Sequence, residues 1–207
     1  MSDSHRLPVV GIVGGIGSGK SAVCRQLTDS GRFAVINGDD LGHQALNNTL
    51  VRFGIRKHFG DSVFDETGSV NRAALGRRVF GPEEQNRLDK LALEKIVHPY
   101  IREGIVQEIE KACSQPQYVA VLLDAAVLFE AGWNDLCDAV VYIDVPDALR
   151  LERVVKNRGW NAEELRKREA SQLGLAEKKR RADFTIDNSG SITEAGARLQ
   201  DFILQLR

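Results

Sequence analysis

The sequence has little that would tie it to a membrane, a metal or an oxidising compartment. Its three cysteines, Cys24, Cys113 and Cys137, are odd in number and widely spaced, and none sits at metal-ligand spacing. They read as reduced thiols in a cytoplasmic protein. No stretch reaches the ~18 apolar residues of a membrane span. The polar start, Met1 to Leu7, does not have the pattern of a secretory signal. Charge of one sign is not in excess: 28 Lys and Arg against 29 Asp and Glu leave −1 at pH 7, so there is no electrostatic case for nucleic-acid binding. Internal repeats and low-complexity linkers are missing too. What remains is an ordinary globular composition, 43% hydrophobic and 28% charged over 207 residues, enough for one substantial core with insertions. No motif speaks to oligomeric state.

One segment stands apart from that plain background. Residues 9–21 read VVGIVGGIGSGKS, and Gly14 to Ser21 fit G-x-x-x-x-G-K-[ST] without a mismatch. The apolar run Val9–Val13 before it predicts a buried strand, and the run after it predicts a helix over 20–29 with Val23 and Leu27 facing inward. Strand, glycine loop, helix is the order that phosphate binding needs. Glycines let backbone N–H groups approach phosphate oxygens without an intervening Cβ. A helix N-terminus favours an anion. Lys20 can reach the β- and γ-phosphates, and Ser21 offers a hydroxyl to Mg²⁺, which takes few protein ligands. The bland alternative, a glycine turn with no ligand, would leave the strand, Lys20 and Ser21 as coincidences.

Further strands are expected at 33–36, 118–123, 139–143 and 184–186, each ending near a carboxylate or amide: Asn37-Gly38-Asp39, Asp124, Asp144 and Asp187-Asn188. Alternation with helices predicts an α/β fold, a five-stranded parallel sheet with helices on both faces. Ligands in such sheets bind beyond the carboxyl ends of the strands, which puts Asp39 and Asp124 among the candidate site residues.

Two helical stretches, 41–115 and 147–182, leave this core and return to it. The expected organisation is core over 1–40, 116–146 and 183–207, an acceptor-binding insert over 41–115 and a lid over 147–182. Within the insert, Pro82 is expected at a first helical position, with Leu88, Leu91, Ala92 and Ile96 as a buried stripe that resumes at Ile101, Ile105 and Ile109. His98-Pro99 predicts a kink or break. Ser191-x-x-Glu194 reads as a capping box before a last helix with Leu199, Phe202, Ile203 and Leu206 buried. A phosphate loop flanked by two helical inserts is the layout of small-molecule kinases, in which closure excludes water from the donor phosphates.

From about Val9 to Gly190 the chain resembles the dephospho-coenzyme A kinase family. The residues that carry the resemblance are the loop V-G-G-I-G-S-G-K-S-A, Val35-Ile36-Asn37-Gly38-Asp39 and Phe59-Gly60. Gly68-Ser69-Val70-Asn71-Arg72-Ala73-Ala74-Leu75, Val79-Phe80 and Leu93-Glu94-Lys95-Ile96-Val97-His98-Pro99-Tyr100-Ile101 follow. The series ends with Asp124-Ala125-Ala126-Val127-Leu128-Phe129-Glu130, Arg168, Gln172, Lys179, Ala182-Asp183 and Ile186-Asp187-Asn188. Departures from the pattern are Val13 and Ala22 for threonines, Asn37 for a first aspartate, Ala126 for a proline, and Asn157-Arg158-Gly159 where R-D-G is usual.

The resemblance implies ATP-dependent phosphorylation of the ribose 3′-hydroxyl of dephospho-CoA, giving CoA and ADP, with Mg²⁺. Gly15, Ile16, Gly17, Ser18, Gly19, Lys20, Ser21 and Ala22 would bind the donor together with Asn188. Asp39 would be the base that takes the acceptor proton. Ser21 and Asp124 would serve Mg²⁺, and Arg153 and Arg158 the transferring charge. His98 and Phe129 would touch the acceptor. Bland readings stand beside these. Asp39 would cap a helix, Asp124 form a strand-end turn, and His98 fill the proline break. The arginines 150, 153, 158, 166 and 168 would form a solvated helix face paired with glutamates, and Phe129, Trp133 and Trp160 would be core. A kinase for nucleosides or nucleotides shares the loop and lid. A GTPase-like switch would carry N-K-x-D, which Thr185-Ile186-Asp187-Asn188 does not match.

Overall fold

The computed structural model describes residues 7–206. Residues 1–6, on which the signal-peptide expectation mostly rests, and Arg207 lie outside the described residues. The strands are β1 Val9–Gly14, β2 Phe33–Asn37, β3 Ala120–Asp124, β4 Ala139–Asp144 and β5 Phe184–Asp187. The helices are α1 Lys20–Thr28, α2 Gly38–Ala45, α3 Thr49–Phe59, α4 Arg72–Val79, α5 Glu84–Cys113, α6 Asp147–Arg158, α7 Ala162–Glu169, α8 Leu175–Arg181 and α9 Ile192–Gln205. The chain divides into two compact units. One combines the chain up to Asn37 with Val106 onward, and the other is Gly38–Ile105. The 147–182 segment is grouped with the sheet.

The first unit is a five-stranded sheet in the order β2-β3-β1-β4-β5, with every pairing parallel. β1 lies in the middle and is buried along its whole length, which is why it reads as a continuous apolar run. Alternate residues serve the two faces. Val10 and Ile12 pack with Val23 and Leu27 of α1 and Leu199 and Ile203 of α9. On the opposite face the place of a Gly11 side chain is taken by Leu128 and Cys137, and α8 packs against β1 and β4. Two aspartates pin the strand starts. Val9 N donates to Asp138 Oδ2 at 2.7 Å, and Val140 N to Asp183 Oδ2 at 2.7 Å. No helix among the described residues is long and apolar enough to cross a membrane.

The second unit is helical, as its sequence pattern predicts. Val51, Ile55, Phe59, Val63, Leu75 and Val79 form its core, with Leu93, Ile96, Val97 and Tyr100 packed against them. Two asparagines start its helices. Asn48 Oδ1 accepts from Leu50 N at 2.9 Å, and Asn71 Oδ1 accepts from Ala74 N at 3.0 Å. The Asn71-Arg72 motif is thus a helix start.

Several expectations fail here. Of the kink or break expected at Pro99, the break does not occur: α5 runs for 30 residues through it. Pro99 is exposed, and Ile96, Val97 and Tyr100 pack on the unit's core, so packing offsets the ~3 kcal/mol that an interior proline costs. α5 begins at Glu84, two residues past Pro82. Leu88 and Leu91 are exposed, whereas Asp89 between them is buried. The acid faces inward because three elements supply partners. Arg78 Nε donates to Oδ2 at 3.0 Å, Gln85 Nε2 donates to Oδ1 at 2.9 Å, and His58 Nε2 lies 3.5 Å from Oδ1. In α9, Leu206 is 39% exposed while Ala195 and Gly196 are buried. Ser191 occupies the N-cap position, but its side chain makes no capping hydrogen bond.

Leu199→Ala is expected to destabilise the protein by about 2–5 kcal/mol and Leu206→Ala by less than about 0.5 kcal/mol, measured by urea denaturation. Burial raises the Asp89 carboxyl, but the bonds from Gln85, Arg78 and His58 outweigh it and hold its pKa below the usual carboxylate value. A pKa that is lower when folded makes the contribution complete above the unfolded value, ~4, and lost as pH falls through the folded one. Asp89→Asn should therefore flatten the acid limb of the stability–pH curve, and a limb as steep as wild type would contradict this.

Candidate active site

The site begins at the C-terminal end of β1. From Gly14 the chain turns through Gly15 to Gly19 and enters α1 at Lys20. Gly17 and Gly19 have φ of 80° and 82°, left-handed values that glycine alone adopts easily. A second constraint acts on Gly15 and Gly17. A Cβ on Gly15 would lie 2.7 Å from Arg150 Nη1, and one on Gly17 would lie 2.7 Å from the Arg150 carbonyl oxygen and 2.9 Å from Val154 Cγ2. The loop is thus packed directly on α6.

The loop carbonyls are held by donors within the protein. Lys20 Nζ donates to Gly14 O at 3.1 Å and to Gly15 O at 3.3 Å. Ser18 N also donates to Gly15 O, at 3.1 Å. Arg150 Nη1 donates to Ile16 O at 3.0 Å, and Asn188 Nδ2 to Ser18 O at 2.7 Å. Gly19 O accepts from Ala22 N and Val23 N as α1 begins. The carbonyls of Gly14, Gly15, Ile16, Ser18 and Gly19 are each tied to a donor, which suits a loop whose amides face an anion. Ala22, expected at the donor, contributes its backbone N–H to the Gly19 carbonyl at 2.9 Å.

Beside the loop, the Ser21 hydroxyl donates to the Asp124 carboxylate, which is 5% exposed at the end of β3. Strand register places Asp124 level with Ile12 on one side and Asn37 on the other. A hydroxyl and a carboxylate in contact are hard oxygen donors of the kind Mg²⁺ takes while keeping most of its waters. Among the described residues no three or more His, Cys, Asp or Glu side chains form a metal cluster. Cys24, one turn further along α1, is fully buried. Burial, followed by the Asp124 charge, raises its thiol pKa well above the ordinary value and keeps it protonated.

The other candidates fall into three groups. Asn188 is 1% exposed and serves the loop as a brace, with its carbonyl accepting from Arg153 Nη2 at 2.9 Å. Arg153 therefore sits at the exit of the loop, whereas Arg158 ends α6 over the Trp160 ring, 4.9 Å from its centroid. Arg168 lies over the same ring at 4.0 Å. Phe129 is 7% exposed with the Arg181 guanidinium 4.3 Å above its ring, and Trp133 is buried. In the helical unit, Asp39 is exposed in the first turn of α2, and His98 is half-buried on α5. Burial lowers the His98 pKa, Glu94 opposes the shift and Lys90 adds to it.

Two buried charged residues escape the sequence reading. Arg150 is not on a solvated face: it is 3% exposed and bonded to Asp147 and Glu169 as well as to the loop. Its place four residues before Val154 was the available signal. Lys178, not Lys179, is the buried lysine of α8. Its Nζ donates to Ala126 O at 2.6 Å and Gln172 Oε1 at 3.0 Å, and pairs with Glu130 Oε1 at 3.0 Å, clasping the segment after Asp124. Lys179 instead reaches Asp144 at the surface.

Comparison with known proteins agrees with this geometry. Residues 8–194 match the model of the family described as dephospho-CoA kinase. A dephospho-CoA kinase of Bacillus licheniformis is 36% identical over 196 residues, 94% of each chain. A crystal structure from Thermus thermophilus superposes with a TM-score of 0.80 at 30% identity, covering 98% of this chain and 99% of that one. The Campylobacter jejuni dephospho-CoA kinase superposes at 0.67 with 24% identity, covering 95% and 97%, a likeness of fold. The glycine loop, the parallel sheet and the near full-length match lead to one conclusion: this chain belongs to the dephospho-CoA kinase family.

Proposed function

We propose that the chain transfers the γ-phosphoryl group of ATP to the ribose 3′-hydroxyl of dephospho-CoA, giving CoA and ADP. The observation that carries the donor half is the loop itself, with its carbonyls held by Lys20, Arg150 and Asn188, Lys20 at the start of α1 and Ser21 bonded to Asp124. The acceptor half rests on membership of the family.

Phosphoryl transfer asks the protein for position and charge stabilisation more than for covalent chemistry. The loop amides and the α1 N-terminus hold the β- and γ-phosphates. Lys20 exchanges its two carbonyl partners for phosphate oxygens and stabilises the charge that spreads over the transferring group. Ser21 and Asp124 would hold Mg²⁺, which when bound neutralises charge across the β- and γ-phosphates. Asp39 is the proposed base. Its support is its place two residues beyond Asn37, whose neighbour across the sheet is Asp124. An exposed carboxylate there accepts the hydroxyl proton as the bond to phosphorus forms.

Arg153 and Arg158 are the proposed lid arginines. Arg153 lies at the loop through its bond to Asn188, and Arg158 reaches the phosphates by leaving Trp160. His98 and Phe129 are proposed to contact the acceptor. Phe129, 7% exposed with Arg181 over its ring, has little surface for that contact.

Purified enzyme should phosphorylate dephospho-CoA with ATP in a coupled ADP-release assay. Turnover of a nucleoside monophosphate with dephospho-CoA inert would replace this function by that of the rival kinase class. Lys20→Ala should remove most transfer activity. Asp39→Asn should lower kcat by about 10²-fold or more while ATP affinity stays near wild type. An unchanged kcat removes Asp39 as the base.

A further inference from the structure

We propose that Arg150 is a positioning residue for the phosphoryl donor: it braces the glycine loop from behind and ties it, through Glu169, to the end of α7. The proposal rests on reading Gly14–Ser21 as the donor-phosphate site, and it adds a residue that no loop motif contains.

Three observations carry it. The first is burial. Arg150 is 3% exposed on a helix whose other charged side chains meet solvent to a much larger degree. A guanidinium withdrawn from water needs partners on several sides; Nη1 and Nη2 have them, and Nε has none among the described residues. Nη1 donates to Ile16 O at 3.0 Å and to the Glu169 carboxylate, and Nη2 donates to Asp147 Oδ1 at 2.8 Å. Arginine suits this place because its planar fork serves a carbonyl and two carboxylates at once. A lysine ammonium is a compact charge and cannot span all three.

The second observation is the fit of the loop to α6. The positions that a Cβ of Gly15 or Gly17 would occupy are filled by the Arg150 guanidinium and the Arg150 carbonyl, each 2.7 Å away. These glycines are required from behind as well as from the phosphate side. A shift of Arg150 would free the Ile16 peptide to rotate, and the orientation of the following amide would go with it.

The third is charge. Nη1 pairs with the Glu169 carboxylate, which is 21% exposed, and Nη2 with that of Asp147, which faces solvent. Without it, the part-buried Glu169 carboxylate and the Ile16 carbonyl would each lose this donor. The Arg150–Glu169 bond also joins α6 to the end of α7, so loop shape and the seating of that segment change together.

The test compares Arg150→Met and Arg150→Lys with wild type. ADP affinity is read by calorimetry, KM for ATP and for dephospho-CoA by steady-state kinetics, and loop amide exchange by mass spectrometry. Arg150→Met should weaken ADP binding and raise the ATP KM by about 10-fold or more, with the acceptor KM within about twofold of wild type. Arg150→Lys keeps a charge and most of the volume, so it should fall between the two. Both should speed exchange at residues 15–19 while the slowest sheet amides keep their protection. A folded Arg150→Met with wild-type ADP affinity overturns the proposal. If Arg150→Met does not fold, Arg150→Lys decides, and unchanged ADP affinity and loop exchange in it overturn the proposal equally. Failure of wild type to bind ADP would instead overturn the donor-site reading itself.

Discussion

A backbone segment that is to bind phosphate must show its amides and hide its carbonyls, and this requirement organises the structure around Gly14–Ser21. Carbonyl oxygens pointing at an anion would repel it, so each needs a donor elsewhere. For the carbonyls of Gly14, Gly15, Ile16 and Ser18 those donors come from four places: Lys20 on α1, the loop's own Ser18 amide, Arg150 on α6 and Asn188 beyond β5. The loop is short in sequence, yet its shape depends on residues more than 130 positions away.

The sheet makes that convergence possible. β1 lies at its centre, flanked by β3 and β4, and all strands run the same way. Their carboxyl ends therefore open on one edge, where Asn37 pairs with Asp124 on one side of β1 and Asp144 with Asp187 on the other. β3 delivers Asp124 to Ser21, and the turn after β5 delivers Asn188 to Ser18. The buried Lys178 fastens the segment after Asp124 to α8. An unpaired lysine in such a place would lose its charge or stay solvated, so the Glu130 carboxylate and two carbonyl oxygens are the condition of its burial.

The helical unit shows how packing overrides local signals. Pro99 lacks one hydrogen bond, but its neighbours Ile96, Val97 and Tyr100 pack on a core and the helix continues. Asp89 is drawn inside because Arg78 from α4 and Gln85 one turn earlier meet it, which turns Leu88 and Leu91 outward. A hydrophobic stripe read along one helix cannot anticipate this, since Arg78 and His58 come from other elements.

The sequence by itself determined the strands, their alternation with helices and the phosphate loop, because these follow from short-range patterns: apolar runs, glycine spacing and a lysine–serine pair at a helix start. It also identified the family, through ordered motifs spread over nearly the whole chain. Only the tertiary structure decided which charged residues are buried and what they hold. Arg150, Lys178 and Asp89 look like their solvated neighbours in a charged helix. What separates them is a partner fixed by the fold: a loop carbonyl, a strand-end segment, an arginine on another helix. Such a contact is long-range, and no local pattern encodes it.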